Sequence, residues 1–388
     1  MKWPIGLSSL AVLSLLAVLS LLTMPLAAAR QGAPTADPLR ASRTQARDLI
    51  GGQQPRKALD EVLLPLLAKH PEDPGLALLC GEAYFALGNW EAAVRDFERG
   101  LARAQHLRGG IFNYGRACLK LGDHTRTEAA FAAMRRESEP QLRSKGALGL
   151  GLLRVEQGRE EEAMALFRES IQCNAKEHRA RYQLGLSAQR AGRFDEAASA
   201  FREVFAQRPL HHGAAYNLSL VLARAGRADE SAAARQRHRQ LMAAKKRISA
   251  LQEQFRSRPP QPEELLALAA QYDSVAAHRE AIQTYRRALT LRPVPEIALR
   301  LAAAFRRGGY VVDAERIYRQ LIGGPAPVRD AVVALVEILE ARGATADVAK
   351  LREKYRTILE ASPTETEATE PPKTEPQNQQ KITCRLRR

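Results

Sequence analysis

Aromatic residues make up only 5% of this 388-residue chain, and runs of β-branched residues are scarce. Strands depend on both kinds of residue, so a sheet-based fold is disfavoured. The four cysteines form no Cys-x-x-Cys pair and show no metal-binding spacing with histidine. What remains is a chain rich in alanine, leucine, arginine, glutamate and glutamine, which is the composition of a helical protein.

Catalytic motifs are also missing. The sequence has no Gly-rich phosphate loop, no H-E-x-x-H and no strand–turn–helix setting for a nucleophile. A pair of histidines, His211-His212, follows Pro209, where a surface turn explains the pair better than a metal site does. We therefore expect no enzymatic activity, no cofactor and no metal site.

The N-terminal segment, 1–29, has the features of a secretory signal peptide. Lys2 precedes an apolar run over residues 5–22, and Ala27-Ala28-Ala29 forms a small-residue cleavage motif. We expect cleavage after Ala29 and export to the periplasm or the extracellular space. The apolar run is also long enough to cross a bilayer, so an uncleaved inner-membrane anchor over residues 5–22 is the alternative.

Glycine recurs at a nearly fixed interval along the rest of the chain. The interval is about 34 residues in a first series and again in a second, and such a period is typical of a helical repeat array rather than of a single-core domain. The first series consists of Gly88, Gly122, Gly158, Gly192 and Gly226, and the second of Gly309 and Gly343.

Each interval contains the same succession of residue types. A first helix carries a small residue, glycine marks a turn, and a second helix carries alanine and an aromatic residue four positions apart. The small residue allows two antiparallel helices to approach closely, and the large one fills the space between them. The most complete unit contains, in order, Leu184, Gly185, Gly192, Ala197, Phe201 and Pro209.

This succession resembles the tetratricopeptide repeat family over most of residues 39–359. The resemblance implies an all-α, right-handed superhelical solenoid of antiparallel helix pairs, with a concave binding groove and no shared chemistry. We expect a linker at 30–38, a first sub-array at 39–245, a helical and proline-containing linker at 246–261 and a second sub-array at 262–360. The proline-containing segment at 361–388 has few apolar residues, which predicts a disordered tail.

The interval is interrupted after Gly226. The pattern predicts one long helix from Ala228 to about Arg258, ended by a cluster of prolines. This helix carries many cations, which fit either a solvated face or the binding of an anionic partner. The cations are Arg235, Arg237, Arg239, Lys245, Lys246 and Arg247.

In the tetratricopeptide repeat family the first helix of each unit lines the groove, and the resemblance implies which residues face it here. Arginines, amides and aromatic rings at these positions suit an extended peptide, although Tyr182 and Tyr216 also fit ordinary packing between repeats. The candidate groove residues are Phe112, Asn113, Arg116, Lys120, Lys145, Arg179, Tyr182, Gln183, Arg190, Tyr216, Asn217 and Arg224.

A net charge of +16 favours anionic partners. We therefore predict an exported scaffold for protein or peptide partners, including acidic ones, in cell-envelope assembly or a secreted complex. The alternative is a basic module that binds a polyanion or the cell wall. Nucleic acid is disfavoured because no recognition motif is present, and membrane contact is expected only through an uncleaved N-terminus.

Cys80 and Cys118 fall at apolar helix positions, where buried free thiols are expected, with a disulfide between them as the alternative.

Overall fold

The computed structural model of the protein describes residues 39–103, 109–324 and 327–360. Every regular element in these ranges is a helix, which confirms the predicted all-α fold. The expected signal peptide, the linker at 30–38 and the tail at 361–388 lie outside the described residues.

The chain divides into two compact units, Met1–Ala130 and Phe131–Arg388. The division falls within helix α7, and the expected division into sub-arrays at 246–261 stays a prediction. The first unit contains α1 (Arg40–Gly51), α2 (Pro55–Lys57), a π-helical turn (Ala58–Leu63), α3 (Leu64–Lys69), α4 (Pro74–Leu87), α5 (Trp90–Arg103), α6 (Gly109–Lys120) and the start of α7 (His124–Arg135).

The second unit continues with helices that alternate in the same way. They are α8 (Pro140–Glu156), α9 (Glu160–Cys173), α10 (His178–Arg190), α11 (Phe194–Gln207), α12 (His212–Arg224), α13 (Ala228–Ser257), α14 (Pro262–Ser274), α15 (His278–Leu291), α16 (Pro295–Arg307), α17 (Val311–Ile322), α18 (Arg329–Ala341), α19 (Thr345–Lys354) and α20 (Arg356–Glu360).

The periodic glycines form the turns between paired helices. Gly88 ends α4 with a φ of 77°, a left-handed conformation that glycine adopts without steric cost. In this turn the N–H of Gly88 donates to the carbonyl of Phe85, and that of Asn89 donates to Tyr84. All seven periodic glycines, and no other glycine of the described residues, have positive φ. The repeat phase read from the sequence is therefore confirmed.

Two turns have a residue other than glycine in the left-handed conformation. Gln53 and Ala276 each have a φ of 60°. Ala276 occupies the turn between α14 and α15, which the glycine period did not mark. A left-handed conformation costs an L-residue roughly 1–2 kcal/mol, so these two turns depend on the packing of the helices around them.

Small residues on the first helix of a unit contact phenylalanine on a second helix. A Cβ added to Gly185 would lie 2.7 Å from Cε1 of Phe201, which is fully buried. Gly81 stands in the same relation to Phe97 in the first unit, and Gly151 to Phe167 in the second. Because no side chain fits at these positions, the expected close approach of the paired helices is confirmed.

The long helix α13 contributes to the core of the second unit. Its Leu241, Ala244 and Ile248 belong to one apolar cluster that extends from Ala215 to Tyr355. A capping box then begins α14, in which Gln261 and Glu264 each accept a hydrogen bond from the other's backbone N–H. The long helix predicted from the sequence is thus present. Cys80 and Cys118 are buried and free, as expected.

Candidate functional site

Two consecutive first helices of the second unit, α10 and α12, are joined by a polar contact. Nδ2 of Asn217 donates a hydrogen bond of 3.0 Å to the hydroxyl of Tyr182. The Tyr182 ring lies 5.7 Å from the ring of Phe201 and 4.6 Å from that of His211, centroid to centroid. Burial raises the pKa of Tyr182, and the bond from Asn217 lowers it by less. Tyr182 and Asn217 therefore pack between repeats while remaining partly exposed.

Tyr216 is the most accessible aromatic residue of the candidate groove. Its side chain is 50% exposed, and its ring lies 5.6 Å from the ring of His238 on α13. Arg179 on α10 and Arg224 on α12 are exposed, and Lys145 on α8 is half-buried. Within the described part of the chain none of these three cations forms an ion pair. Their charges are therefore available to an anionic partner.

Other candidate residues are already engaged. Nε of Arg190 donates to Oε1 of Glu160 at 2.6 Å, and its Nη2 contacts the hydroxyl of Ser187 at 3.1 Å. This ion pair joins α10 to the start of α9. Gln183, by contrast, is half-buried, and its side chain forms no hydrogen bond within the described residues.

The candidate residues of the first unit are mostly packed. Phe112 is only 5% exposed and belongs to the protein interior. The guanidinium of Arg116 lies 4.6 Å from the ring centroid of Phe85 and 5.9 Å from that of Phe112. Burial raises the pKa of Glu82, and a hydrogen bond with Asn113 lowers this pKa by a smaller amount.

Lys120, at the end of α6, is the one exposed candidate among the described residues of the first unit. The accessible part of the predicted set therefore lies mainly on α8, α10 and α12.

The cations of α13 differ from most arginines of the repeats. Elsewhere ion pairs join neighbouring repeats, as between Arg135 and Glu169 at 2.7 Å and between Arg202 and Glu230 at 2.7 Å. None of the six cations that the sequence marked on α13 has a carboxylate partner among the described residues. Helical periodicity places Arg235, Arg239 and Lys246 on nearly the same side of α13, opposite the buried Leu241, Ala244 and Ile248. These three cationic residues form a stripe, here called the basic face of α13.

Sequence reasoning missed the role of His211, which it placed in a surface turn. Its Nδ1 accepts a hydrogen bond of 3.0 Å from the backbone N–H of Ala214 and so caps α12. The position of His211 directly before a first helix could have indicated this cap.

Among the described residues no three histidine, cysteine, aspartate or glutamate side chains are grouped so as to hold a metal ion. No helix in those residues is long and apolar enough to span a membrane.

Comparison with known proteins supports the repeat assignment. The model of the tetratricopeptide repeat family matches residues 43–106, in the first unit, and 182–241, in the second. The resemblance to this family predicted from the sequence is thus confirmed over these two segments. No curated protein matches the chain.

Three solved structures illustrate what the chain is similar to. MamA matches at 16% identity over 46% of this chain and 96% of its own, with a TM-score of 0.37. PilW, described as a widely conserved type IV pilus biogenesis factor, matches at 20% identity over 50% and 89%, with a TM-score of 0.44. YrrB, described as a TPR protein with an unusual peptide-binding site, matches at 20% identity over 47% and 97%, with a TM-score of 0.33.

Proposed function

We propose that this chain, with tetratricopeptide repeats in both of its units, is a non-catalytic scaffold that binds an extended segment of a partner protein along α10 and α12. The observation that carries the proposal is the half-exposed ring of Tyr216, together with the exposed Arg179 and Arg224 on the same two helices. A ring of this kind offers a large apolar surface for a partner side chain. The two guanidinium groups offer forked donors for carboxylates.

The chemistry of these residues favours a partner segment with acidic and apolar side chains. Gln183 and Asn217 add amide groups that can bond an extended backbone. Because Asn217 already holds Tyr182, its loss would also disturb the packing between α10 and α12. Tyr216 is therefore the better position at which to test binding, since half of its side chain contacts no part of the described protein.

We further propose that the scaffold works outside the cytoplasm, in envelope assembly or a secreted complex. The charged start, the apolar run and the Ala27-Ala28-Ala29 motif support export. N-terminal sequencing of protein recovered from the cell envelope or the medium tests this proposal. A terminus at Arg30 is expected, whereas an intact Met1 or Lys2 in membranes would indicate an anchored protein instead.

A second function is favoured by the basic face of α13. Three exposed cations without ion pairs among the described residues, on one stripe, suit a polyanion such as an anionic cell-wall polymer. Binding of this kind weakens steeply with salt, because exposed charges are screened within about 8 Å at physiological ionic strength. Binding through Tyr216 depends mainly on apolar contact and should weaken much less.

Measuring affinity for the recovered partner at low and high salt separates the two functions. Tyr216→Ala should weaken binding by about tenfold or more at both salt concentrations, as for a buried aromatic anchor. Leu291→Ala removes another exposed apolar side chain, 56% accessible on α15, and serves as the matched control. The triple variant Arg235→Gln, Arg239→Gln, Lys246→Gln should change binding little. The reverse ranking would favour the polyanion function and reject the peptide site.

A further inference from the structure

The second unit contains a cavity of about 390 Å³ whose lining does not include Tyr216. Its walls come from the connection between α11 and α12, from the α14–α15 and α16–α17 turns and from the start of α10. The volume is in the range of sites that hold small molecules or a few side chains. The repeat pattern does not account for a cavity built from segments so far apart in sequence.

The lining of this cavity is unusually rich in basic side chains. Glu280 is the only acidic residue among the described residues that line it, and Tyr310 adds a hydroxyl. Arg208 forms no ion pair within the described residues, and Nε of Arg279 donates to the Tyr310 hydroxyl at 3.3 Å. Two arginines against one glutamate leave a positive balance even with every histidine neutral. The basic groups are His178, Arg208, His211, His212, His278 and Arg279.

Three of the four histidines are held towards the neutral form. Burial is the main cause that lowers the pKa of His178, His211 and His212. Because Nδ1 of His211 accepts the capping bond from Ala214, the proton of this ring sits on Nε2, where it can be donated to a ligand. Near neutral pH, the ligand-free cavity therefore carries less positive charge than it would with all of its histidines protonated.

Besides burial, charged neighbours act on these rings from several elements. Arg208 and Arg179 lower the pKa of His178, and Glu177 opposes them. His178, His212 and Arg208 lower that of His211, and Lys245 and His238 of α13 lower that of His212. Nδ1 of His278 lies 3.5 Å from Oδ1 of Asp273, whose Oδ2 accepts a bond of 2.5 Å from Arg307. The fixed cations Arg179, Arg208 and Lys245 disfavour positive charge on these rings, and a bound anion would offset that effect.

We propose that this cavity binds a compact carboxylate-bearing ligand and takes up protons when it does so. Arg208 and Arg279 supply fixed positive charge for the carboxylates, and His211 supplies a neutral donor. A carboxylate beside His178 and His212 favours their charged forms and offsets the repulsion that Arg208 exerts on His178 and that Lys245 exerts on His212. Binding therefore raises the pKa of these two rings. By linkage, affinity rises as pH falls from about 8 to about 5.5.

The full-length protein is titrated with oxalate by isothermal titration calorimetry at about pH 8 and about pH 5.5. Oxalate stays a dianion throughout this range, so a change in affinity reports on the protein. We expect binding to strengthen by about tenfold or more at the lower pH, which corresponds to an average uptake of about 0.4 proton or more per site over this interval. A tetraglutamate peptide, with tetraglutamine as its control, replaces oxalate in a second arm. The tighter of the two carboxylate ligands identifies whether a small anion or a polypeptide is the natural source.

Arg208→Gln should weaken binding of the tighter probe by about tenfold, as for loss of one charge-assisted contact. Arg316→Gln is the matched control, because Arg316 is exposed and pairs only within its own helix, with Asp313. Circular dichroism verifies that each variant is folded. In the wild-type protein, histidine side-chain NMR should show that the ligand raises the pKa of His178 and His212 and leaves the signals of His70, in the other unit, unchanged. Absence of binding at both pH values, pH-independent binding, or unchanged titration of His178 and His212 would each overturn the proposal.

Discussion

Replacing Gly185 with leucine tests the repeat packing most sharply. A Cβ at this position would lie 2.7 Å from Cε1 of Phe201, so the rest of the leucine side chain has no space. Phe201 cannot withdraw easily, because it is fully buried and its ring also contacts Tyr182. Overpacking of this severity costs about 3 kcal/mol. Replacing glycine by leucine within a helix is by itself favourable by about 1 kcal/mol, because leucine has the higher helix propensity. We therefore expect a net loss of about 2 kcal/mol in the free energy of unfolding.

Equilibrium unfolding in urea, followed by circular dichroism, measures this loss. Repeat arrays unfold in parts, so backbone hydrogen exchange is measured as well. We expect the amides of α10 and α11 to lose protection before those of the other helices. Leu184→Met, which conserves volume at the neighbouring position, is the control and should cost under about 1.5 kcal/mol.

The Gly185→Leu, Phe201→Leu double variant should lose less stability than the sum of the two single losses, by about 1 kcal/mol or more. The smaller leucine at position 201 leaves space for the leucine at position 185. Additive effects, or equal stability of Gly185→Leu and Leu184→Met, would refute the reasoning.

Three further predictions concern a turn, the thiols and a cap. Ala276→Gly should stabilise the protein by about 0.5–1 kcal/mol in urea unfolding, because relief of the left-handed strain exceeds the entropy that glycine gains in the unfolded chain; a loss of stability would contradict this. Cys80, whose pKa burial raises to about 12, and Cys118, whose pKa burial also raises, should resist iodoacetamide at about pH 8 in the folded protein, with mass spectrometry showing rapid labelling only after denaturation. The bond from Arg258, followed by that from the backbone before α14, lowers the pKa of Glu264 to about 2, so the capping box is intact above the ordinary value of 4.5 and is lost only as pH falls towards 2. Arg258→Gln should raise that pKa, as read from carboxyl NMR shifts, and no change would show that the ion pair does not form in solution.

Glycine positions predicted the fold well because their physical requirement is local. A left-handed turn at Gly88 or Gly309 is set by the residue itself, and the structure has positive φ at every periodic glycine. Ala276 escaped notice because nothing in its own chemistry marks a left-handed residue. The surrounding helices impose that conformation.

The candidate site could be predicted less completely. Helix periodicity places Asn217 and Tyr216 on neighbouring positions of α12, but it does not say which group a polar side chain will meet. The structure pairs Asn217 with Tyr182 and leaves Tyr216 half exposed. The cavity near Arg208 depends on contacts among segments that are far apart in sequence, which no local pattern records.

Site-specific photo-crosslinking tests the central claim most directly. A benzoylphenylalanine in place of Tyr216 samples the proposed peptide face, and one in place of Met242, which is 42% exposed, samples α13 beside its basic face. With crosslinking carried out in intact cells, we predict that the Tyr216 position captures a polypeptide and that prior Arg179→Gln substitution weakens the capture. Crosslinks from the Met242 position alone, or capture at Tyr216 that is insensitive to Arg179→Gln, would contradict the proposed site.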